Sequence, residues 1–195
     1  MTGRARSQCQ HAHGAGAHQL PVVLSLGSNI GDRLASLQLG VDILVAGGLA
    51  CPVVSSVYET DPVGGPAQDD YLNAVLLAVT DLPAPDVLSL AVAAEAAAGR
   101  VRAVRFGPRT LDVDVIAYGD ETSDDAELTL PHPRAHERAF VLAPWLELDP
   151  GAVVPGRGTV ADLLATTGTD GVRRRGDLTL ALPARACATA VVPCT

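Results

Sequence analysis

The sequence predicts an α+β fold in which helices pack on an antiparallel sheet. Three observations support this: apolar runs typical of strands alternate with two segments of helical periodicity, they follow in the order β-α-β-β-α-β, and two loops rich in Gly, Pro or Arg separate them. That order is typical of the ferredoxin-like arrangement, with two helices on one face of the sheet. Short helical segments further along predict a C-terminal extension.

We expect one domain over residues 20–170, preceded by a disordered leader at 1–19 and followed by a C-terminal tail at 171–195. The predicted elements are a strand at 21–26, a helix at 32–46, strands at 52–58 and 71–79, a helix at 86–99 and a strand at 110–118. Loops are predicted at 60–70 and 100–108, an acidic surface excursion at 120–127, and short helices at 137–146 and 159–164. Within the tail, one strand is predicted at 178–182.

Composition limits the classes of function. The 195 residues contain neither the apolar run of a membrane helix nor a signal peptide pattern, so we expect a soluble, cytoplasmic protein with no membrane partner. A formal net charge of −8 argues against nucleic-acid binding, which needs a broad basic surface. All 14 basic side chains are arginine, which excludes mechanisms that need a lysine, such as a Walker A loop. The four cysteines show no C-x-x-C spacing and are interpreted as free thiols.

The most informative segment is Arg105-Phe-Gly-Pro-Arg-Thr-Leu-Asp-Val-Asp114. Asp112 and Asp114 are two apart in a predicted strand, so both carboxylates point to one face. About 7 Å apart and unpaired, they would repel by roughly 2 kcal/mol at an effective dielectric near 20, and a cation between them removes that cost. Oxygen ligands of this kind suit Mg²⁺, which takes one or two protein carboxylates and completes its shell with water and phosphates. The alternative is a structural ion pair with Arg109.

Four arginines lie within ten residues just before the carboxylates: Arg100, Arg102, Arg105 and Arg109. Guanidinium groups match phosphate oxygens bidentately, and Gly107-Pro108 turns the chain so that arginines and carboxylates can converge on one polyphosphate. The alternative for each arginine is a solvated cation at a helix end, which we favour only for Arg105.

The same segment resembles the signature of the 6-hydroxymethyl-7,8-dihydropterin pyrophosphokinase family, and the resemblance covers residues 21–165. It includes Leu26-Gly-Ser-Asn-Ile-Gly-Asp-Arg33, Tyr58-Glu-Thr-Asp-Pro62 and Asp70-Tyr-Leu-Asn-Ala74, and continues through Leu128-Thr-Leu-Pro-His-Pro133 and Arg138-Ala-Phe-Val-Leu142. Several motifs in the same order make a chance match improbable.

The resemblance implies transfer of a diphosphate from ATP to a pterin hydroxymethyl group, with release of AMP, in tetrahydrofolate biosynthesis. It implies that Asp112 and Asp114 hold two Mg²⁺ ions and that Arg100 and Arg109 stabilise the transition state. Contacts to ATP are implied for Arg102, Thr129, His132 and Arg138. A pterin pocket is implied at Gly27, Thr60, Pro62, Val63, Tyr71, Asn73 and Phe140. We also expect the partners to be these two small-molecule substrates, ATP and the pterin, and the protein to be a monomer.

Some residues depart from the resembled pattern, and other interpretations stay open. Phe106 stands where the family usually has tryptophan, while Glu127 and Pro133 replace an arginine and a tyrosine that some members have near the nucleotide. Without the resemblance, Tyr71 and Phe140 could be ordinary core residues. One rival is a two-metal nucleotidyl transferase, which would release pyrophosphate; another is a ferredoxin-like module that binds RNA or a small metabolite without catalysis.

Overall fold

The computed structural model describes residues 19–62, 68–99 and 108–183. Its strands are β1 (Leu20–Ser28), β2 (Ala50–Val54), β3 (Val57–Thr60), β4 (Tyr71–Thr80), β5 (Asp112–Tyr118), β6 (Ser123–Asp124), β7 (Thr129–Leu130), β8 (Val153–Val154), β9 (Gly158–Thr159) and β10 (Val172–Arg175). Its α-helices are α1 (Arg33–Ala46), α2 (Ala84–Ala97), α3 (Ala139–Leu148) and α4 (Val160–Thr167), and a 3-10 turn at Ala135–Glu137 precedes α3. None of the helices in these ranges is long and apolar enough to cross a membrane.

The main sheet is antiparallel and has the order β10-β3-β4-β1-β5, with β2 also paired to β4. β2 and β3 are two halves of the strand predicted at 52–58, interrupted at Ser55 and Ser56. Counted as one strand, they complete the β-α-β-β-α-β order, and the ferredoxin-like prediction is confirmed. The interruption is stabilised because the backbone of Ser55 and its hydroxyl both bond Val75 of β4.

One face of the sheet packs against α1 and α2. The alternating strand residues that point this way form the larger core, together with helix residues such as Leu37 and Leu44. Among its fully buried members are Leu24, Leu26, Leu76 and Leu111. Gly40 of α1 lies so close to the sheet that a Cβ built on it would be 3.0 Å from Leu26 and Leu111 side-chain carbons. The close approach fixes α1 over β1 and next to the start of β5.

The opposite face carries a second, smaller core formed with α3 and α4. Val23, Val75 and Ile116 of the sheet meet Leu142 and Trp145 of α3 there. This second core covers only part of the face, since α3 begins beside the ends of the central strands. Residues of β1, β4 and β5 beyond the core are left open to a cleft.

The N-terminus of α1 depends on Asp32, whose carboxylate accepts a hydrogen bond from the Ala35 amide at 3.0 Å. We expect Asp32→Ala to lower the free energy of unfolding by about 1 kcal/mol, because the cap satisfies an otherwise unpaired amide. Asp42→Ala is the control in the last half of the same helix: it loses one exposed hydrogen bond, from Gln38 Nε2 at 2.9 Å, but also removes a negative charge that is unfavourable to the helix dipole, so it should cost much less. Urea unfolding of both variants checks the prediction, which equal losses would contradict.

The C-terminal residues differ from the prediction. The strand expected at 178–182 is absent, and β10 instead places the arginines of Val172–Arg175 beside β3. Leu178 and Leu180 pack against the larger core without pairing, and Ala181 exchanges two hydrogen bonds with the Gln38 side chain. The apolar alternation after residue 177 thus reflects the burial of Leu178 and Leu180 and not strand pairing. The arginines of β10 are accommodated by ion pairs with acids on other segments.

A polar cluster joins α3 to β3. The Tyr58 hydroxyl donates to Glu147 Oε2 at 2.8 Å, and the other carboxylate oxygen accepts from the backbone and hydroxyl of Ser56. Burial, the hydrogen bond to Glu147 and the charge of that carboxylate raise the pKa of Tyr58 from 10.0 to about 12. Burial also tends to raise the pKa of Glu147, but the hydrogen bonds from Ser56 and Tyr58 outweigh it and the pKa is lowered.

This cluster predicts a pH dependence of stability. The Tyr58 phenol ionises near pH 10 in the unfolded chain and near 12 in the folded one, so its stabilising contribution is complete below pH 10 and is lost between pH 10 and 12. We expect the urea midpoint of the wild type to fall more steeply over this window than that of Tyr58→Phe. Below pH 10 the wild type should be about 1 kcal/mol more stable. Parallel curves for the two proteins would contradict the assignment.

Candidate active site

The cleft lies where three neighbouring strands bring their ends together. Gly27 of β1 is in register with Asn73 of β4 on one side and with Asp112 of β5 on the other. One row further in, Ser25 pairs with Asp114. The cavity encloses about 120 Å³ and is lined by Ser25, Gly27, Thr60, Asp61, Gln68, Tyr71, Asn73, Arg109, Asp112, Asp114, Arg138 and Phe140. Most of the site residues predicted from the sequence therefore surround a single cavity.

Small residues on β1 leave room in the middle of the cleft. A Cβ built on Gly27 would lie 2.9 Å from Asn73 Oδ1, so any side chain here would displace that amide. Glycine therefore lets the Asn73 side chain lie across the middle strand, towards the carboxylates of β5. Ser25, the other β1 residue that lines the cavity, is also small.

One side of the cleft offers aromatic and amide groups. Asn73 is buried, and its Nδ2 donates to Thr60 Oγ1 at 2.8 Å. This bond leaves a second amide hydrogen and Oδ1 for a ligand. Tyr71, two residues earlier on the same face, is held by a 3.3 Å bond from its hydroxyl to Gln68 Oε1. Phe140, at the start of α3, also lines the cavity. Flat ring faces and an amide are suited to a flat heterocycle.

The other side is charged. Asp112 is paired with Arg109, and Asp114 Oδ2 accepts from Arg138 Nη1 at 2.8 Å. The Arg138 guanidinium also lies 5.5 Å from the centre of the Phe140 ring, a cation–π distance. Both aspartates point into the cleft as the two-residue spacing predicts. The alternative ion pair foreseen for Arg109 is therefore present, and Arg138 supplies a second one.

His132 lies beside this pair. Its Nε2 is 3.8 Å from Asp114 Oδ2 and 3.5 Å from Arg138 Nη1, and its backbone amide donates to Ile116 at 2.8 Å. Burial lowers the pKa of His132; Asp114 acts in the opposite direction, but Arg138 adds to the lowering. A neutral ring at this position can donate one hydrogen bond to a phosphate oxygen.

The two carboxylates suit a metal ion that takes some of its ligands from the protein and the others from a substrate. Within the described part of the chain no group of three or more His, Cys, Asp and Glu side chains is arranged to hold a metal. Two carboxylates on one strand face, open to a cleft, match the small protein ligand set of Mg²⁺ in phosphate-handling sites. Arg109 and Arg138 are ion-paired to these two carboxylates. Both guanidinium groups therefore lie beside the metal position and can contact the same anionic substrate as the metal.

Several predicted residues lie elsewhere. Pro62 lines a neighbouring cavity of about 550 Å³ that shares Thr60, Arg138 and Phe140 with the cleft. Thr129 is in β7, outside the residues that line the cleft, and its hydroxyl donates to the Asp125 carbonyl. Val63, Arg100 and Arg102 fall outside the described residues, as do Arg105 and Phe106.

Sequence reasoning missed Asn29. This buried side chain accepts from the Arg109 amide at 2.7 Å and donates to Gln68 Oε1 and the Asp69 carbonyl at 3.1 and 3.2 Å. It therefore links the end of β1 to both segments that flank the cleft. Asn29 belongs to the first resembled motif, but its partners are 39 to 80 residues away, so local spacing could not reveal them.

The fold and the cleft, with arginines and carboxylates on one side and ring faces and an amide on the other, fit an enzyme that acts on phosphate groups. Residues 23–150 match the model of the 7,8-dihydro-6-hydroxymethylpterin-pyrophosphokinase (HPPK) family, and the chain belongs to that family. It is 50% identical over 141 residues to the 2-amino-4-hydroxy-6-hydroxymethyldihydropteridine pyrophosphokinase of Mycobacterium bovis, an alignment that covers 67% of this chain and 73% of the relative. The corresponding Mycobacterium leprae enzyme is 47% identical over 189 residues, covering 88% and 97%.

Solved structures support the fold. The chain resembles Plasmodium falciparum HPPK-DHPS, crystallised with pterin and p-hydroxybenzoate, with a TM-score of 0.54 and 14% identity. The alignment covers 76% of this chain and 42% of the Plasmodium chain, so this protein spans less than half of that structure. At this identity the likeness concerns the fold alone.

Proposed function

We propose that this protein transfers the diphosphate of ATP to the hydroxymethyl group of 6-hydroxymethyl-7,8-dihydropterin and releases AMP, a step of tetrahydrofolate biosynthesis. Family membership supports the reaction and ATP as co-substrate. The observation that carries the assignment to this cleft is the row formed by Asn73, Gly27 and Asp112 on three adjacent strands. It sets an amide suited to a pterin edge beside a carboxylate suited to a metal–phosphate complex.

The pterin would lie between Tyr71 and Phe140, with its polar edge against Asn73. Gly27 keeps the space above β1 open, and Thr60 holds the Asn73 amide in place. Pro62, which lines the neighbouring cavity, would add apolar contacts, and the contribution of Val63 rests on the resemblance of its sequence segment. In this position the hydroxymethyl group would point along the row towards β5.

The phosphates of ATP would lie on the charged side. Asp112 and Asp114 would hold two Mg²⁺ ions, which when bound neutralise phosphate charge and stabilise charge on the transferred group. Arg109, Arg138 and the neutral His132 ring surround the same carboxylates and would bind phosphate oxygens. Thr129 would contact the adenosine. The contributions of Arg100 and Arg102 rest on the resemblance of their sequence segment.

In the reaction, the pterin hydroxymethyl oxygen attacks the β-phosphorus of ATP. A new oxygen–phosphorus bond forms, the bond from the β-phosphorus to the α–β bridging oxygen breaks, that oxygen leaves with AMP, and the hydroxyl proton passes to solvent. We assign no residue as general base, because positioning and charge stabilisation supply most of the catalysis in such transfers. Arginines at the charged side would stabilise the developing charge.

A product assay tests the proposal. The protein is incubated with ATP, Mg²⁺ and 6-hydroxymethyl-7,8-dihydropterin, and AMP, ADP and pyrophosphate are quantified. We expect AMP in amounts equal to the pterin diphosphate formed, and none without the pterin. Pyrophosphate in place of AMP would favour the nucleotidyl transferase, while the absence of any nucleotide turnover would favour a binding module. A cytoplasmic location and a monomeric state stay predictions from the sequence.

A further inference from the structure

The arginines of β10 are outside the family signature, yet one of them reaches the cleft segments. Side chains alternate along the strand, so Arg174 points to one face while Arg173 and Arg175 point to the other. Arg174 bonds the Ser56 hydroxyl and lies 3.6 Å from Glu147, in the cluster that joins α3 to β3. Arg173 makes different contacts.

Arg173 bridges two acids that are nine positions apart in the chain. Its Nη1 donates to Asp61 Oδ1 and its Nη2 to Asp70 Oδ2, each at 2.8 Å. Asp61 directly follows the last residue of β3, and Asp70 directly precedes the first residue of β4. One guanidinium therefore holds together the point where the chain leaves one strand and the point where it enters the next.

The residues beside these acids line the proposed pterin pocket. Thr60 and Tyr71 are opposite each other in the β3–β4 pairing, and both line the cleft. Further contacts fix the same two points. The Asp61 amide donates to the Gly171 carbonyl at 3.2 Å, and the Asp70 carbonyl accepts from Arg33 at 2.7 Å. The Arg173 side chain contacts both points.

We propose that Arg173 is a positioning residue for pterin binding: by bridging Asp61 and Asp70, it holds Thr60 and Tyr71 at the spacing that the pterin requires. This inference rests on the proposed pterin pocket. The side chains are well exposed, 48% for Arg173, 62% for Asp61 and 41% for Asp70, so the bridge contributes little to global stability. Its effect is local, on the relative position of two strand ends.

The test compares Arg173→Ala with Arg174→Ala, a matched loss of one arginine from the same strand. For Arg173→Ala we expect the KM for the pterin to rise about tenfold, which corresponds to about 1.4 kcal/mol, with kcat and the KM for ATP within about twofold of wild type. Arg173→Lys should restore part of the loss, because one ammonium cannot make the forked contact to both acids. Arg174→Ala should leave all three constants unchanged.

Other outcomes overturn the proposal. An unchanged pterin KM in Arg173→Ala, or an equal rise in Arg174→Ala, would show that the bridge does not position the pocket. A fall in Tm of more than about 3 °C together with a lower kcat would show a general structural role. Asn73→Ala in the same assay separates two failures: if it raises the pterin KM and Arg173→Ala does not, only this inference fails, and if neither does, the pterin pocket fails with it.

If no AMP is formed, binding of the pterin in the presence of a non-hydrolysable ATP analogue, measured by calorimetry, provides the comparison. Weaker binding to Arg173→Ala than to Arg174→Ala and wild type would support the positioning role without turnover. Equal affinities for all three proteins would overturn it.

Discussion

Replacing Asp112 or Asp114 by asparagine is expected to lower the rate of pterin-dependent AMP formation by about 10²–10⁴-fold, the equivalent of several kcal/mol of lost transition-state stabilisation. Asparagine keeps the size of the side chain but removes the charge that a Mg²⁺ ion needs. Each change also leaves one arginine without its carboxylate, Arg109 for Asp112 and Arg138 for Asp114. The rate should be measured at saturating ATP and pterin over a range of Mg²⁺ concentrations.

The control for these variants is Asp120→Asn. Asp120 follows β5 at the turn with Gly119, is exposed, and lies away from the cleft. The Asp120→Asn variant should form AMP at the wild-type rate, and the circular dichroism spectra of all variants should overlay. If Asp112→Asn and Asp114→Asn retained more than a tenth of the wild-type rate, their role would be that of structural ion pairs with Arg109 and Arg138, and the metal assignment would be wrong.

Asn73→Ala is expected to raise the KM for the pterin by about 10²-fold, or 2–3 kcal/mol, with the KM for ATP unchanged. The amide is 3% exposed and sits beside Gly27, so no water can easily replace it at the pterin edge. A polar edge left unpaired in such a pocket loses its full hydrogen-bond energy. Steady-state kinetics with each substrate varied in turn measure both constants.

Thr60→Val is the informative companion to this variant. It removes the same internal hydrogen bond of 2.8 Å but keeps the Asn73 amide in the pocket. We expect its pterin KM to rise by much less than that of Asn73→Ala, since the amide can still pair with the ligand. Equal effects would mean that Asn73 acts by ordering Thr60 and that some other group recognises the pterin edge.

Local pattern was sufficient for the parts of the molecule that depend on neighbouring residues. The two-residue spacing of Asp112 and Asp114 fixes their common face, and the same rule places Tyr71 and Asn73 together. The order β-α-β-β-α-β predicts which strands are neighbours in a ferredoxin-like sheet, and each of these neighbours pairs antiparallel in the structure. These inferences use only the periodicity of strands and helices.

Contacts between distant segments could not be predicted in this way. Arg138 reaches Asp114 across 24 residues, and Arg173 reaches Asp61 across 112. A strand of arginines has no apolar alternation, so local pattern cannot predict β10, whose arginines pair with acids on and beside β3. Ion pairs of this kind depend on the assembled sheet, whereas local pattern favours a strand at the apolar residues 178–182.

The row of Asn73, Gly27 and Asp112 gives the backbone ladder of the sheet a part in setting the distance between the two substrates. Adjacent strands are about 4.8 Å apart, so the backbone positions of Asn73, which would orient the pterin, and Asp112, which would organise the phosphates, are separated by two fixed steps of about 4.8 Å. Changes in side-chain size can tune affinity, but they cannot alter that separation. A single-residue insertion in β1, by contrast, would turn Gly27 to the opposite face and put a larger neighbour in its place. The same insertion would also turn the buried residues Leu24 and Leu26 away from the larger core, so β1 should tolerate substitutions of size but no single-residue insertion.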